Sequence, residues 1–93
     1  MLVIAQHSIS DPDKFWSAAQ ALGDSMPSHL KLHSVIPSVD MKSGTCLWEG
    51  PSVDAIQTFI DNSVGDVSKN VCYEVNQAAA MGLPQAAMAA VQN

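Results

Sequence analysis

The sequence predicts an α+β fold in which six elements follow one another in the order β-α-β-β-α-β. Short runs rich in Val, Ile and aromatic residues alternate with two segments whose apolar residues recur at helical spacing. Proline or glycine separates several of these segments, as is typical of turns. The plan is clearest in Thr45–Asp61, where a strand passes through one tight turn into an amphipathic helix.

The strand of this central unit is Thr45–Glu49, a mixture of β-branched, aromatic and apolar residues that favours burial on both faces. Pro51 ends the strand because it has no N–H to donate to a ladder. Ser52 is the predicted N-cap of a helix that reaches about residue 62. Ile56 and its apolar neighbours at helical spacing require one helix face to be buried, and the nearest surface is the sheet.

The first half of the chain supplies three more elements. Leu2–Ser8 is predicted as the first strand because it is rich in Val, Ile and Leu without a helical stripe. Asp11 is the predicted N-cap of the first helix, Pro12 occupies its first position, and Pro27 stops it. Leu30–Ile36 is then the second strand.

The remaining segments complete the domain and add a tail. Pro37–Gly44 is a polar hairpin connection, and Val71–Val75 is the last strand. We therefore predict a domain over residues 1–76 and an alanine-rich C-terminal tail or arm over 77–93. Gln85–Gln92 is a candidate helix that is too short to persist without packing. The tail is interpreted either as frayed or as an arm that covers a sheet edge or a partner subunit.

This element order predicts a four-stranded antiparallel sheet in the order 4-1-3-2, with both helices on one face, which is the ferredoxin-like arrangement. The opposite face is then expected to be bare. Both side-chain parities of the central strands are largely apolar, for example Ile4 beside Val3 and Leu47 beside Trp48. Two sheets packed face to face would bury these side chains, so the sequence predicts a homodimer.

Composition narrows the class of partners. The chain has 93 residues, 47% apolar residues and a formal net charge of −5, which argues against nucleic acid and anionic membrane surfaces. There is no bilayer-length apolar run and no signal-peptide pattern, so we expect a cytoplasmic protein that does not enter a membrane. Cys46 and Cys72 should lie two strands apart, about 9–10 Å, which is too far for a disulfide.

The chain resembles a known superfamily at its turns. The motif Trp48-Glu49-Gly50-Pro51-Ser52 between the third strand and second helix, and the Asp11-Pro12 helix start, look like those of dimeric α/β-barrel proteins. That superfamily includes antibiotic-biosynthesis-type monooxygenases, muconolactone isomerases, stress-induced barrel proteins and small nickel-associated proteins. The resemblance covers about residues 1–76. It implies a homodimer with a pocket between sheet and helices or between the two sheets.

Six polar or aromatic residues in otherwise apolar elements are candidate pocket residues. They are His7, Trp16, His33, Trp48, Glu49 and Tyr73. Taking the first and third strands as parallel, we expect His7 and Glu49 at the same edge of the sheet. A histidine and a carboxylate there, joined by His33, would form a metal site or an acid–base pair. The alternative is a hydrogen-bonded structural histidine, and strand parity does not decide whether these side chains share one face.

Three functions remain open from the sequence. The first is a binding module for a small molecule or a transition metal such as nickel, with His7, His33 and Glu49 as the metal ligands. The second is a cofactor-independent monooxygenase- or isomerase-type enzyme with His7 or His33 as general base. The third is a structural or regulatory dimerisation module. No HxH, HExxH or Glu-x-x-His signature assigns a metal or a reaction, so catalysis and catalytic residues stay unassigned.

Overall fold

A computed structural model of the chain describes residues 1–23, 25–85 and 87. Its elements follow the predicted order, with the bounds β1 Leu2–Ile9, α1 Pro12–Leu22, β2 Lys31–Pro37, β3 Ser43–Glu49, α2 Val53–Val64 and β4 Ser68–Glu74. Within the described ranges, no helix combines the length and the apolar character needed to cross a bilayer.

The sheet has the order β2-β3-β1-β4 and every neighbouring pair is antiparallel, which confirms the predicted ferredoxin-like topology. Ala5 on β1 pairs with Cys46 on one side and with Cys72 on the other. The two thiols are therefore separated by a whole strand, and both are free, as predicted.

Both helix starts follow from local chemistry. Asp11 caps α1, and its side chain accepts a hydrogen bond from the Lys14 N–H. Ser52 caps α2 in the same way, accepting from the Ala55 N–H. The end of α1 differs from the prediction: the helix stops at Leu22, ahead of Pro27, and the Gly23 N–H closes its last turn.

The main core lies between the sheet and the helices. Val3, Ala5 and Trp48 project from the sheet, and Phe15 of α1 and Ile56 of α2 pack onto them. Because side chains alternate along a strand, the residues between these core positions point to the opposite side of the sheet, called here the open face.

The open face is not bare, contrary to the expectation from topology alone. Leu2 and Leu47 are buried there in a second cluster with Ala87, and Leu83 packs against the same cluster. The C-terminal segment therefore lies over one end of the open face. Met88 and Val91, and most of the predicted helix over 85–92, lie outside the described residues.

Gly50 is the point at which the turn after β3 meets the core. A Cβ there would lie 2.8 Å from Leu30 Cδ2 and 3.1 Å from Ile56 Cδ1, closer than packed carbon atoms allow. We expect Gly50→Ala to lower the free energy of unfolding by about 1–3 kcal/mol through overpacking. Urea denaturation checks this value. The control is Gly23→Ala, whose Cβ would make only an ordinary 3.4 Å contact with Gln20 O, and an equal loss in both variants would contradict the steric explanation.

Candidate functional site

A small cavity, called here the helix-side cavity, lies between the sheet and the helices and has a volume of about 50 Å³. Its lining is mainly apolar. It consists of His7, Phe15, Trp16, Ala19, Leu22, Leu32, Val35, Cys46, Trp48, Ile60 and Val64. Three of the six predicted pocket residues, His7, Trp16 and Trp48, therefore share one cavity.

Trp16 fastens α1 to the β2–β3 hairpin beside this cavity. Its indole N–H donates to Met41 O at 2.9 Å, and its ring lies over Gly44, where a Cβ would come within 3.1 Å of Cη2. Met41 itself has a φ of 64°, a left-handed conformation within the tight hairpin. The hairpin thus sets the position of the helix that forms one wall of the cavity.

Among the described residues that line the cavity, His7 is the only one with a strongly polar side chain. It is 5% exposed, and its ring packs against Phe15 with the centroids 5.1 Å apart. His7 Nδ1 lies 2.7 Å from Asn70 Oδ1 on the paired strand β4. Because an amide oxygen can only accept, Nδ1 carries the proton and donates to it.

Asn70 belongs to a polar network that reaches the surface. Its Nδ2 donates to Asp61 Oδ1 at 3.0 Å. Gln57 of α2 donates from Nε2 to Asp61 Oδ2 at 3.1 Å and to Asn70 O at 2.9 Å. The Oε1 of Gln57 accepts from the Cys72 N–H at 3.0 Å. The Gln57 side chain thereby pairs a backbone N–H on the outer edge of β4, as a neighbouring strand would. The network ties α2, β4 and His7 together.

Burial makes the charged form of His7 unfavourable. Desolvation lowers the pKa of His7 below its ordinary value, and the hydrogen bond to Asn70 opposes this only in part. The ring is therefore neutral at pH 7, with Nδ1 protonated. Among the described residues, Nε2 has no hydrogen-bond partner and keeps its lone pair.

This pKa shift predicts that the protein loses stability in mild acid. Above about pH 6.5, His7 is neutral in both the folded and unfolded states. Below that pH, His7 becomes protonated in the unfolded chain but stays neutral in the folded chain. The free energy of unfolding therefore falls by at most about 1.4 kcal/mol per pH unit, until the pH drops below the pKa of His7 in the folded state. Urea unfolding at pH 7.5 and 5.5 should show a smaller acid loss in His7→Gln, and equal losses would contradict the assignment.

Trp48 contributes a second polar atom to the same region. It is 3% exposed and lines the cavity, and its ring packs edge-on against Phe59. Among the described residues, its Nε1 is the one buried side-chain nitrogen or oxygen without a partner. A buried N–H normally finds an acceptor. Trp48 therefore has a free hydrogen-bond donor, as His7 has a free acceptor.

The structure corrects the predicted meeting of His7 with Glu49. The two strands that carry them are antiparallel, so His7 pairs with Gly44 while Glu49 pairs with Leu2. Five residues along the strands separate the two side chains, which is about 17 Å. The expectation that they lie at one edge of the sheet is wrong.

His33 does meet Glu49. The ladder between β2 and β3 is irregular between Leu32 and Ser34, which leaves His33 as an extra residue. Its Nε2–H donates to Glu49 Oε1 at 2.8 Å, and its side chain is only 1% exposed. Glu49 has the parity of Leu2, so this pair belongs to the open face, away from His7.

The six predicted residues are thus divided between two sides of the sheet. Tyr73 pairs with Ile4 and stands exposed on the open face. In the ranges that the structure describes, no three His, Cys, Asp or Glu side chains are grouped closely enough to hold a metal ion. The roles of His33, Glu49 and Tyr73 stay predictions.

The polar partners of His7 were missed by sequence reasoning. Asn70 precedes the predicted last strand, Val71–Val75, and Asp61 lies near the end of the predicted second helix, so the pattern alone marks neither as a site residue. Asparagine is depleted in strands, so an Asn directly opposite a His on a paired strand is the signal that would have found the contact.

The two cysteines do not add a nucleophile to the site. Burial is the main cause that raises the pKa of Cys46 and of Cys72 to about 11, with smaller contributions from Cys72 on the former and Asp61 on the latter. Thiolates are therefore scarce at neutral pH, and both side chains act as small core residues.

Comparison with known proteins adds no assignment, since the chain matches no protein-family model and no curated protein sequence.

Proposed function

We propose that the chain binds a small, mainly apolar molecule in the helix-side cavity, and that His7 supplies its principal hydrogen bond. The observation that carries this proposal is a buried, neutral histidine in the wall of an otherwise mainly apolar cavity. Such a combination of apolar lining and a few polar atoms is typical of ligand pockets. Trp48, which lines the same cavity, carries a buried N–H without a partner among the described residues.

The size of the cavity limits the ligand. A cavity of about 150 Å³ accommodates benzene, whereas this one has about 50 Å³. A ring-sized ligand therefore requires a wall to move. We expect α1 to be that wall, because its backbone approaches the strands less closely than the backbone of α2 does. We expect binding of an aromatic molecule to shift α1 outward while α2 stays on β4.

The test uses phenol as the probe and a variant that fills the cavity. Ala19 lines the cavity, whereas Ala21 of the same helix is exposed. Phenol should perturb the amide NMR signals of α1 and raise the melting temperature of the wild-type chain and of Ala21→Phe. Ala19→Phe should lose both effects. Equal responses in the two variants, or none in the wild type at millimolar phenol, would overturn the proposal.

We propose further that two copies of the chain, in the cytoplasm, pack with their open faces together. Ile36, Val71 and Tyr73 are 63%, 54% and 48% exposed on this sheet, and a second copy would cover them. The resemblance to dimeric α/β-barrel proteins supports the same assembly. Sedimentation at micromolar concentration should give a dimer that Val71→Glu dissociates and that Val39→Glu, on a fully exposed turn residue, leaves intact. A monomeric wild type would remove this part of the proposal.

An acid–base enzyme is the second candidate, and the tautomer of His7 favours it. With Nδ1 held by Asn70, Nε2 is the unprotonated nitrogen of a residue that lines an apolar cavity, and a general base needs such a lone pair. Oxygen uptake or isomerisation should be seen with electron-rich phenols and be lost in His7→Gln. A chain that binds phenol without turning over any such substrate is a binding module, and one that does neither is a dimerisation module.

A transition metal is not part of the proposal. His33 and Glu49 supply two adjacent donors, but the third predicted ligand, His7, lies on the other side of the sheet. Stable sites for such ions usually need three or four protein ligands.

A further inference from the structure

The side chain of Asp61 determines which way the amide of Asn70 faces. An ionised carboxylate can only accept hydrogen bonds, so the Asn70 atom 3.0 Å from Asp61 Oδ1 must be its nitrogen. Gln57 holds the other oxygen of the carboxylate at 3.1 Å. The amide oxygen of Asn70 is thereby turned toward His7.

The amide oxygen in turn determines the tautomer of the imidazole. Asn70 Oδ1 lies 2.7 Å from His7 Nδ1 and can accept from it. It also lies 2.8 Å from Ser68 Oγ, but that hydroxyl has one proton, for which Val64 O competes at 2.9 Å. The alternative tautomer, protonated on Nε2, would set two lone pairs against each other at 2.7 Å. The chain of contacts from Asp61 through Asn70 therefore leaves His7 with a proton on Nδ1 and none on Nε2.

We infer that Asp61 and Asn70 are positioning residues that fix this tautomer of His7 and thereby make the cavity select neutral hydroxyl compounds, such as phenols and enols, over their ethers and over carboxylate anions. The inference rests on the proposed binding function and names its ligand class. A hydroxyl group donates to Nε2. An ether or a carboxylate has no proton to donate, and an anion also loses its hydration in an apolar cavity.

The positioning part is tested without any ligand. Ring ¹⁵N chemical shifts of His7 at pH 7.5 distinguish the two tautomers, and the wild type should show protonated Nδ1 and unprotonated Nε2. Asp61→Ala and Asn70→Ala should shift the ring toward the Nε2–H tautomer. Asp66→Ala is the matched control, since it removes the same charge from an exposed residue outside the network, and it should leave the spectrum unchanged. An Nε2–H ring in the wild type would overturn the inference.

The selectivity part compares phenol with anisole, its methyl ether, and with benzoate. Phenol should bind about tenfold or more tightly than either to the wild type, because only phenol satisfies Nε2. Asp61→Ala should narrow this ratio, and Asp66→Ala should keep it. Equal binding of phenol and anisole would overturn the selectivity while leaving the binding function intact. Binding of neither would remove the binding function, and with it the selectivity.

Discussion

Replacing Ile56 with alanine is expected to lower the free energy of unfolding by about 3 kcal/mol, within the range of about 2–5 kcal/mol typical of such truncations. Ile56 is fully buried on α2, and its side chain fills the space between the sheet and the Gly50 turn. That space is bordered by backbone and by Leu30, so it cannot collapse fully when three carbons are removed. A residual cavity adds to the lost transfer free energy.

Urea denaturation at pH 7.5 measures this change, and Val39→Ala is its control. Val39 is fully exposed in the β2–β3 turn, so its truncation should change stability by no more than about 0.5 kcal/mol. If Ile56→Ala costs less than about 1 kcal/mol, α2 does not close the core in the way described. A change in the slope of unfolding with urea would instead indicate a more expanded state.

Features that depend on a few neighbouring residues were predictable. Asp11 and Ser52 were identified as N-caps because a short polar side chain before an apolar periodic segment has one main structural use, and both make the expected hydrogen bond. The β-α-β-β-α-β order followed from where Pro and Gly interrupt these segments. Local chemistry therefore accounts for the order of the elements along the chain.

Element ends that depend on tertiary pairing were not predictable. The apolar stripe of α1 continues to Met26, which still packs on the core, yet the helix ends at Leu22. β4 starts at Ser68 because Ser68 pairs with Ile9 of β1, although the segment from Ser68 to Asn70 has a polar composition. Partner strands, rather than intrinsic propensity, decide such bounds.

The candidate site illustrates both cases. The crossover through α1 makes β2 run parallel to β1, and the hairpin then reverses the direction of β3. The predicted topology therefore already implied that β1 and β3 are antiparallel, and hence that His7 and Glu49 lie far apart. The side of the sheet that His7 faces did not follow, because both parities of β1 are apolar. Only the packing of Phe15 against His7 reveals it.

Replacing Ala87 with aspartate is expected to lower the free energy of unfolding by about 2 kcal/mol and to release the C-terminal segment. Ala87 is fully buried against Leu2 and Leu47, and a carboxylate there has no cation among the cluster's apolar side chains. The segment detaches rather than bury the charge. The loss of stability is therefore the free energy of burying the two leucines, about 1.5–3 kcal/mol for each, minus the conformational entropy term that the freed chain regains.

Limited proteolysis with mass spectrometry and urea denaturation measure the two effects, and Ala78→Asp is the control on an exposed residue of the same segment. Ala87→Asp should be cut quickly after Val75, whereas the wild type and the control resist. Unchanged stability and cleavage would show that the segment contributes nothing to the fold.

Because Leu2 and Leu47 lie at one end of the open face and Val71 and Tyr73 remain exposed on it, release of the segment should also enlarge the apolar surface offered to a second copy. Ala87→Asp should therefore associate more strongly than the wild type in sedimentation, and weaker association would contradict this by showing that the segment itself forms part of the contact.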